Sequence, residues 1–420
     1  MYFRTTLLFL LSVAISGLLP AQGAFDHWLQ KKDDYHIEPF LALQLWSAYS
    51  FNQQEFDQEE KRYAPVDDRF SVLLRRARFG FRANPYPNWK FYLAMAYDQL
   101  GKDDRSALVG GGNNGSSPVI TIWDAFLQWR LATGSEALHL TAGYFRPQLG
   151  RESITAAWAS TSMEKSMSQY YQRQHLVGIS NGRSVGVNLG GLLWKEGDPV
   201  GLNYNLGVFA PQAFSGVKFS PLFVGRAVLH LGDPEQTVYK IGYDVNYFNQ
   251  RKGLSLALGG SWQGETDLFQ AGYQASADWL FNWGPVNFDG EWSLLWREGP
   301  SDLTYRSETG YARLGYNLVV AEKYFLEPVF MWMAFRGATD AAGQADAAAL
   351  KMYSGSEDTF NAGLNWYLHK KNLKLSLHYT WHAADPGAAG DGAKVNQYFS
   401  QSGMAVRRGN WVGLGVNAMF

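Results

Sequence analysis

The sequence contains no cysteine. That excludes disulfides, thiolate metal sites, thiol nucleophiles and a cysteine-linked lipid anchor. Charge is sparse. Asp, Glu, Lys and Arg make up 18% of 420 residues, and 37 basic residues nearly balance 38 acidic ones. Such a balance argues against a nucleic-acid partner, and so little charge is lean for a surface that faces water throughout. Beyond the N-terminus, no run approaches the roughly 18 consecutive apolar residues that a membrane helix needs.

Aromatic residues are abundant: 16 Trp, 23 Tyr and 26 Phe, or 15% of the chain. This suits an outer surface that meets lipid, with aromatics at the interfaces. The N-terminus reads as a secretory signal. Arg4 forms the basic region, Leu7 to Leu19 the apolar region, and Ala21 and Gly23 are small residues at −3 and −1. Cleavage is expected after Gly23. Residues 24–36 then form an N-terminal periplasmic segment. A secreted chain with this composition is either a soluble β-protein or an outer-membrane barrel.

From residue 37 onward the dominant period is two. Trp89, Phe91, Leu93, Met95 and Tyr97 alternate with Lys90, Tyr92, Ala94, Ala96 and Asp98. Trp123, Ala125, Leu127 and Trp129 alternate with Asp124, Phe126, Gln128 and Arg130, and Leu373 to Trp381 repeats the pattern. A strand sends successive side chains to opposite faces, so each run has one apolar and one more polar face. Trp and Tyr often stand at the ends of the apolar faces, where an interfacial girdle belongs.

The links sharpen the choice. Long connections (51–68, 101–118, 147–182) alternate with short ones (84–88, 132–137), as in barrels with short periplasmic turns and long outer loops. Residues 238–248 also alternate, but a full strand there would break this parity. Treated as an elaborated periplasmic connection, 233–252 leaves 16 strands, an even number. The final strand places Val412, Leu414, Val416, Ala418 and the terminal Phe420 on one face. The expected fold is all-β: a transmembrane antiparallel barrel over 37–420. Sixteen strands enclose a lumen too wide for side chains alone to fill, so water occupies it unless something plugs it.

Several segments resemble the phosphate-selective porin O/P family. They are Arg75-Arg76-Ala77-Arg78-Phe79-Gly80; Gly143-Tyr144-Phe145-Arg146-Pro147 with Gly150, Glu152-Ser153 and Glu164-Lys165-Ser166; and Tyr204-Asn205-Leu206-Gly207-Val208-Phe209. The resemblance implies a 16-stranded outer-membrane channel, usually a homotrimer, whose third outer loop folds into the pore. Outer-membrane lipid and lipopolysaccharide would surround it. Phosphate-specific members carry a ladder of lumen arginines and a central lysine cluster, and this sequence carries part of that pattern.

Alternation assigns the faces. Leu73, Ala77, Phe79 and Phe81 face lipid, with Arg75 as an exception on the same face. Arg76, Arg78 and Arg82 face the lumen, and Arg130 and Arg226 lie on polar faces. Arginine suits phosphate or carboxylate through its permanent charge and bidentate fork. Asp278, Asp289 and Glu291 also face the lumen, about half a turn away. A basic wall opposite an acidic one would set a transverse field. The plainer alternative is that these arginines pair with acids and stiffen the wall.

The 147–182 link is the candidate constriction loop, with helical turns within 154–174 and Trp158, Tyr170 and Tyr171 as packing anchors. Arg146, Arg151, Lys165, Arg173 and Arg183 outnumber Glu152 and Glu164 in and beside it. A basic eyelet would prefer anions. The alternative is a surface or trimer-contact loop.

Other motifs carry little. Gly110 to Gly115 matches a dinucleotide fingerprint without its helix, and Gly178-Ile179-Ser180-Asn181-Gly182 matches a nucleophile elbow without its context. His378 and His382, about 13 Å apart on a strand, cannot share a metal. No cofactor or metal site is expected. The reading is a passive channel for small hydrophilic solutes, anion-preferring, with phosphate as a candidate solute. The alternatives are a scaffold barrel with an occluded lumen, or an outer-membrane enzyme for which no catalytic set stands out.

Overall fold

The computed structural model describes residues 36–110 and 119–420. The proposed signal peptide and residues 24–35 lie outside the described residues, as does most of the Gly110 to Gly115 motif.

Sixteen antiparallel strands close a barrel. They are β1 (His36–Phe51), β2 (Arg69–Tyr86), β3 (Trp89–Leu100), β4 (Thr121–Arg130), β5 (His139–Phe145), β6 (Ser184–Leu193), β7 (Val200–Ala210), β8 (Leu222–Gly232), β9 (Lys252–Gln263), β10 (Ala271–Trp283), β11 (Val286–Glu298), β12 (Thr304–Tyr316, continued by Leu318–Val320), β13 (Tyr324–Arg336), β14 (Ser356–His369), β15 (Leu373–Asp385) and β16 (Asn410–Met419). β1 pairs with both β2 and β16, so no strand edge remains open. Closure satisfies every ladder in hydrocarbon, where no water is available to do so.

The polarity is inside out. Phe70, Val72, Leu206, Leu258 and Leu414 are exposed on the outer face, whereas Gln44, Asn188, Asn203, Asn205 and Gln274 are buried within. Tyr86, Trp129, Trp283, Tyr316 and Trp366 are exposed near the short turns, where a girdle would lie. Gly284 takes a positive φ of 54° in the tight link between β10 and β11.

Register shifts interrupt the period of two at four places, and two of them change which side chains face the lumen. Gln44 pairs with Arg76 while Leu45 pairs with Leu74, so Arg75 is the extra residue of β2. A bulge flips the face of everything beyond it. Arg75, Leu73 and Ser71 therefore point inward with Arg76 and Arg78, and all are buried. This corrects the lipid-facing assignment of Arg75 and Leu73. On β4, Ala94 of β3 pairs with Asp124 while Met95 pairs with Ile122, which turns Trp123 inward beside Asp124.

Two connections fill part of the lumen. The third long link, 146–183, folds inward and carries α1 (Arg151–Ile154) and α2 (Ser168–Val177). Tyr171 of α2 stacks on Phe335 at 4.1 Å and packs into a cluster with Leu295, Met331 and Met333. These residues belong to the interior faces of β11 and β13, so the loop covers an apolar patch that would otherwise meet water. From the opposite end, 233–251 is not a barrel strand, as parity required. It re-enters the lumen. The Tyr239 hydroxyl donates to Asn205 at 2.5 Å and Tyr243 to Asn203 at 2.9 Å. The two insertions meet at a backbone bridge between Thr155 and Tyr243.

Candidate functional site

The insertions divide the lumen into a sealed side and an open side. On the sealed side, Arg151 of α1 binds Glu235 at 2.7 and 2.9 Å and Asp278 of β10 at 3.0 Å. Arg226 of β8 binds the same Asp278 at 2.7 and 2.9 Å. Arg313 of β12 joins Asp289 of β11 at 2.7 Å to Glu152 of the loop at 3.2 Å. Glu291 accepts from the Glu152 amide at 3.1 Å, Ser168 at 3.0 Å and Gln172 at 2.6 Å. All these side chains are buried. Burial would raise the Glu235 carboxyl, but Arg151 outweighs it and holds that carboxyl well below the ordinary range.

This corrects the acidic wall. Asp278, Asp289 and Glu291 do point into the barrel, as alternation requires. They lie beneath the loop, however, and none borders open space. Arg226 leaves the pore-lining set and Arg151 the basic eyelet of the loop, because both are buried in carboxylate pairs. The transverse field between opposed walls therefore has no acidic partner. Arg130 is placed at the short-turn end, held by Asn88 and by Glu136 at 3.1 Å, and does not border the cavity.

The open side is a cavity of about 980 Å³ along the β2–β5 wall. Its lining runs from His36 and Asn84 near the short turns to Ser400 and Arg408 near the long loops. Twelve Arg and Lys side chains border it against four Asp and Glu, so its potential is positive.

Lys240 and Lys371 share Asp244 and Arg408 is held by carbonyls; the other nine cations fall into two sets. Arg75 and Arg76 both bind Glu164 of the loop, Arg75 through Nε at 2.8 Å. Burial would raise the Glu164 carboxyl, but the two guanidiniums hold it down at about 2. Arg78 forks onto Asp98, and Arg183 onto Asp124 at 3.0 and 3.2 Å. Trp123 lies between these two arginines, with guanidinium carbons 3.8 and 3.7 Å from its ring centroid. This close packing depends on the β4 bulge.

The second set has no carboxylate within 4 Å among the described residues. Arg82 and Lys90 are exposed to the cavity from β2 and β3. Arg146 donates to the Ser153 carbonyl at 2.6 Å, Lys165 to the Thr155 carbonyl at 2.7 Å, and Arg173 to the Ser153 carbonyl at 2.8 Å. These three groups converge on one loop turn and border the cavity, and burial together with the Arg173 and Arg146 charges pulls the Lys165 ammonium well below its ordinary value. Such an arrangement attracts and orders anions and contains no nucleophile–base pair. His378 bonds Asn361 and His382 bonds Thr359 within the wall. Gly178 caps α2 with a φ of 73°, so the elbow-like motif is a helix end.

Sequence reasoning missed the inward Arg75 and Trp123 and the partners of the sealed arginines. Two adjacent arginines in the middle of a lipid-spanning strand were the available signal for the bulge.

A family model described as phosphate-selective porin O and P matches residues 47–394. No curated protein sequence matches the chain. Among solved structures, the fold is similar to an anion-selective porin from Comamonas acidovorans, with a TM-score of 0.57 and 12% identity over 92% of this chain and 100% of that one. It is also similar to OprB from Pseudomonas putida, with a TM-score of 0.56 and 10% identity over 91% and 94%. OmpF from Salmonella typhi gives 0.54 and 10% over 92% and 98%.

Proposed function

The chain belongs to the phosphate-selective porin O and P family, an outer-membrane channel family, and from that premise we propose that it passes small hydrophilic anions along the β2–β5 wall. The observation that carries this reading is the imbalance of partners. Arg82, Lys90, Arg146, Lys165 and Arg173 border the cavity without a carboxylate, whereas Asp278 of β10 and Asp289 of β11 are consumed by Arg151, Arg226 and Arg313, and Glu291 is covered by Ser168 and Gln172 of the loop. An uncompensated positive wall concentrates anions and repels cations. Inorganic phosphate is among the solutes that a guanidinium fork accepts.

The reading places a homotrimer in outer-membrane lipid and lipopolysaccharide after removal of residues 1–23, with no cofactor, no nucleic-acid partner and no catalytic role. One observation favours a second reading, a scaffold barrel: the loop and the re-entrant segment already close one side of the lumen. Single-channel recording separates the two. Arg82→Glu with Lys90→Glu is expected to lower the anion-to-cation permeability ratio several-fold, because both side chains are exposed and unpaired. An unchanged ratio would remove the wall from selectivity, and a folded barrel without conductance would favour the scaffold.

A further inference from the structure

The lumen wall near Arg82 is aromatic as well as basic. Phe40 of β1 stacks on Tyr92 of β3 at 5.5 Å, and Tyr92 meets Phe126 of β4 at 5.2 Å. Phe126 meets Phe145 of β5 at 5.8 Å. Tyr92 and Phe126 are half-buried and border the cavity. Among the described residues the Tyr92 hydroxyl bonds to no protein group. The Arg82 guanidinium stands over this row, 5.2 Å from the Phe40 ring and 5.9 Å from Tyr92, with Lys90 on the same wall.

Rings in this position give nothing to a hydrated inorganic anion. They replace hydrogen-bonding groups on a wall that such an ion would need. A solute with its own flat apolar face gains from them, because ring–ring contact adds to burial. The adjacent unpaired cations would take its anionic group. Convergent apolar surface with a few placed charges is the usual make-up of a small-molecule site.

We infer that the Arg82–Tyr92–Phe126 wall is a subsite for organic carboxylates that carry an aromatic ring, favoured over inorganic anions. The inference rests on the anion-channel reading and specifies its solute.

The test is interruption of single-channel KCl current by benzoate, acetate or inorganic phosphate. Benzoate is expected to act at about tenfold lower concentration than acetate or phosphate, the size of one ring contact. Tyr92→Leu with Phe126→Leu should shrink that advantage to roughly threefold or less. Tyr92→Phe, which keeps the ring, should retain it. Equal action of benzoate and acetate, phosphate as the strongest blocker, or an advantage that survives the double leucine variant would overturn the subsite and leave the anion reading standing. A cation-selective reversal potential in the wild type would overturn both.

Discussion

On the β8–β13 side of the lumen, Arg151, Arg226 and Arg313 each bind a carboxylate and are buried beneath the loop. On the β2–β5 side, Arg82 and Lys90 face open space without one, and Arg146, Lys165 and Arg173 of the loop border the same cavity, Lys165 and Arg173 with little of their own surface exposed. The residue type is the same and the consequence differs. A buried guanidinium with its carboxylates holds a loop in place. A guanidinium bonded only to carbonyls keeps its charge available to a solute. Partner and exposure, more than residue identity, decide which arginines reach the pore. Glu164 joins the two sides, since it fastens the loop to the open wall by neutralising Arg75 and Arg76.

The largest effect should come from breaking the sealed side. Asp289→Ala leaves Arg313 and the Tyr311 hydroxyl without their main acceptor. Removing one partner of a buried pair costs about 3–5 kcal/mol. The variant should melt earlier and show larger, noisier conductance as the loop loosens. Tyr171→Phe is gentler. It leaves the Glu357 carboxylate short of one buried donor, at about 1–3 kcal/mol, which thermal unfolding would register.

Acid should act where the loop is fastened to the open wall. The Glu164 carboxyl lies below its ordinary value of 4.5, at about 2. A depressed carboxyl contributes stability that is complete above its ordinary value and is lost as pH falls through the lowered one. Conductance should therefore hold steady from neutral pH down to about 4.5 and rise as the loop unseats toward about 2. A conductance that does not rise by about pH 2 would contradict the anchoring of the loop through Glu164.

The smallest effect belongs to the open wall. Arg82→Gln removes one exposed charge, so anion selectivity should drop slightly at low salt. The drop should vanish near molar salt, where screening shortens to about 3 Å.

Much of this architecture is legible in the sequence because alternation and link length are local. β7 spans 200–210, as the alternation indicates, and parity excluded 233–252 from the strand count, where the structure starts the next strand at Lys252. Interior pairing is not local. Arg226 sits on a polar face in sequence, but its partner Asp278 is two strands away and is shared with Arg151 from a loop. No pattern along the chain encodes that meeting. One sign was available. Val329, Phe330, Met331, Trp332, Met333, Ala334 and Phe335 make β13 apolar on both faces, and a barrel strand of that kind must be covered from within. The bulge at Trp123 left no comparable sign, because Trp suits a lipid-facing girdle equally well.

The most direct measurement is the reversal potential of the purified wild-type channel across a tenfold KCl gradient. The unpaired wall requires a potential of the sign set by chloride, with anions more permeant than potassium. A potential set by potassium would mean that the carboxylates of the lumen govern permeation, and the division into a sealed, neutralised side and an open, positive one would be wrong.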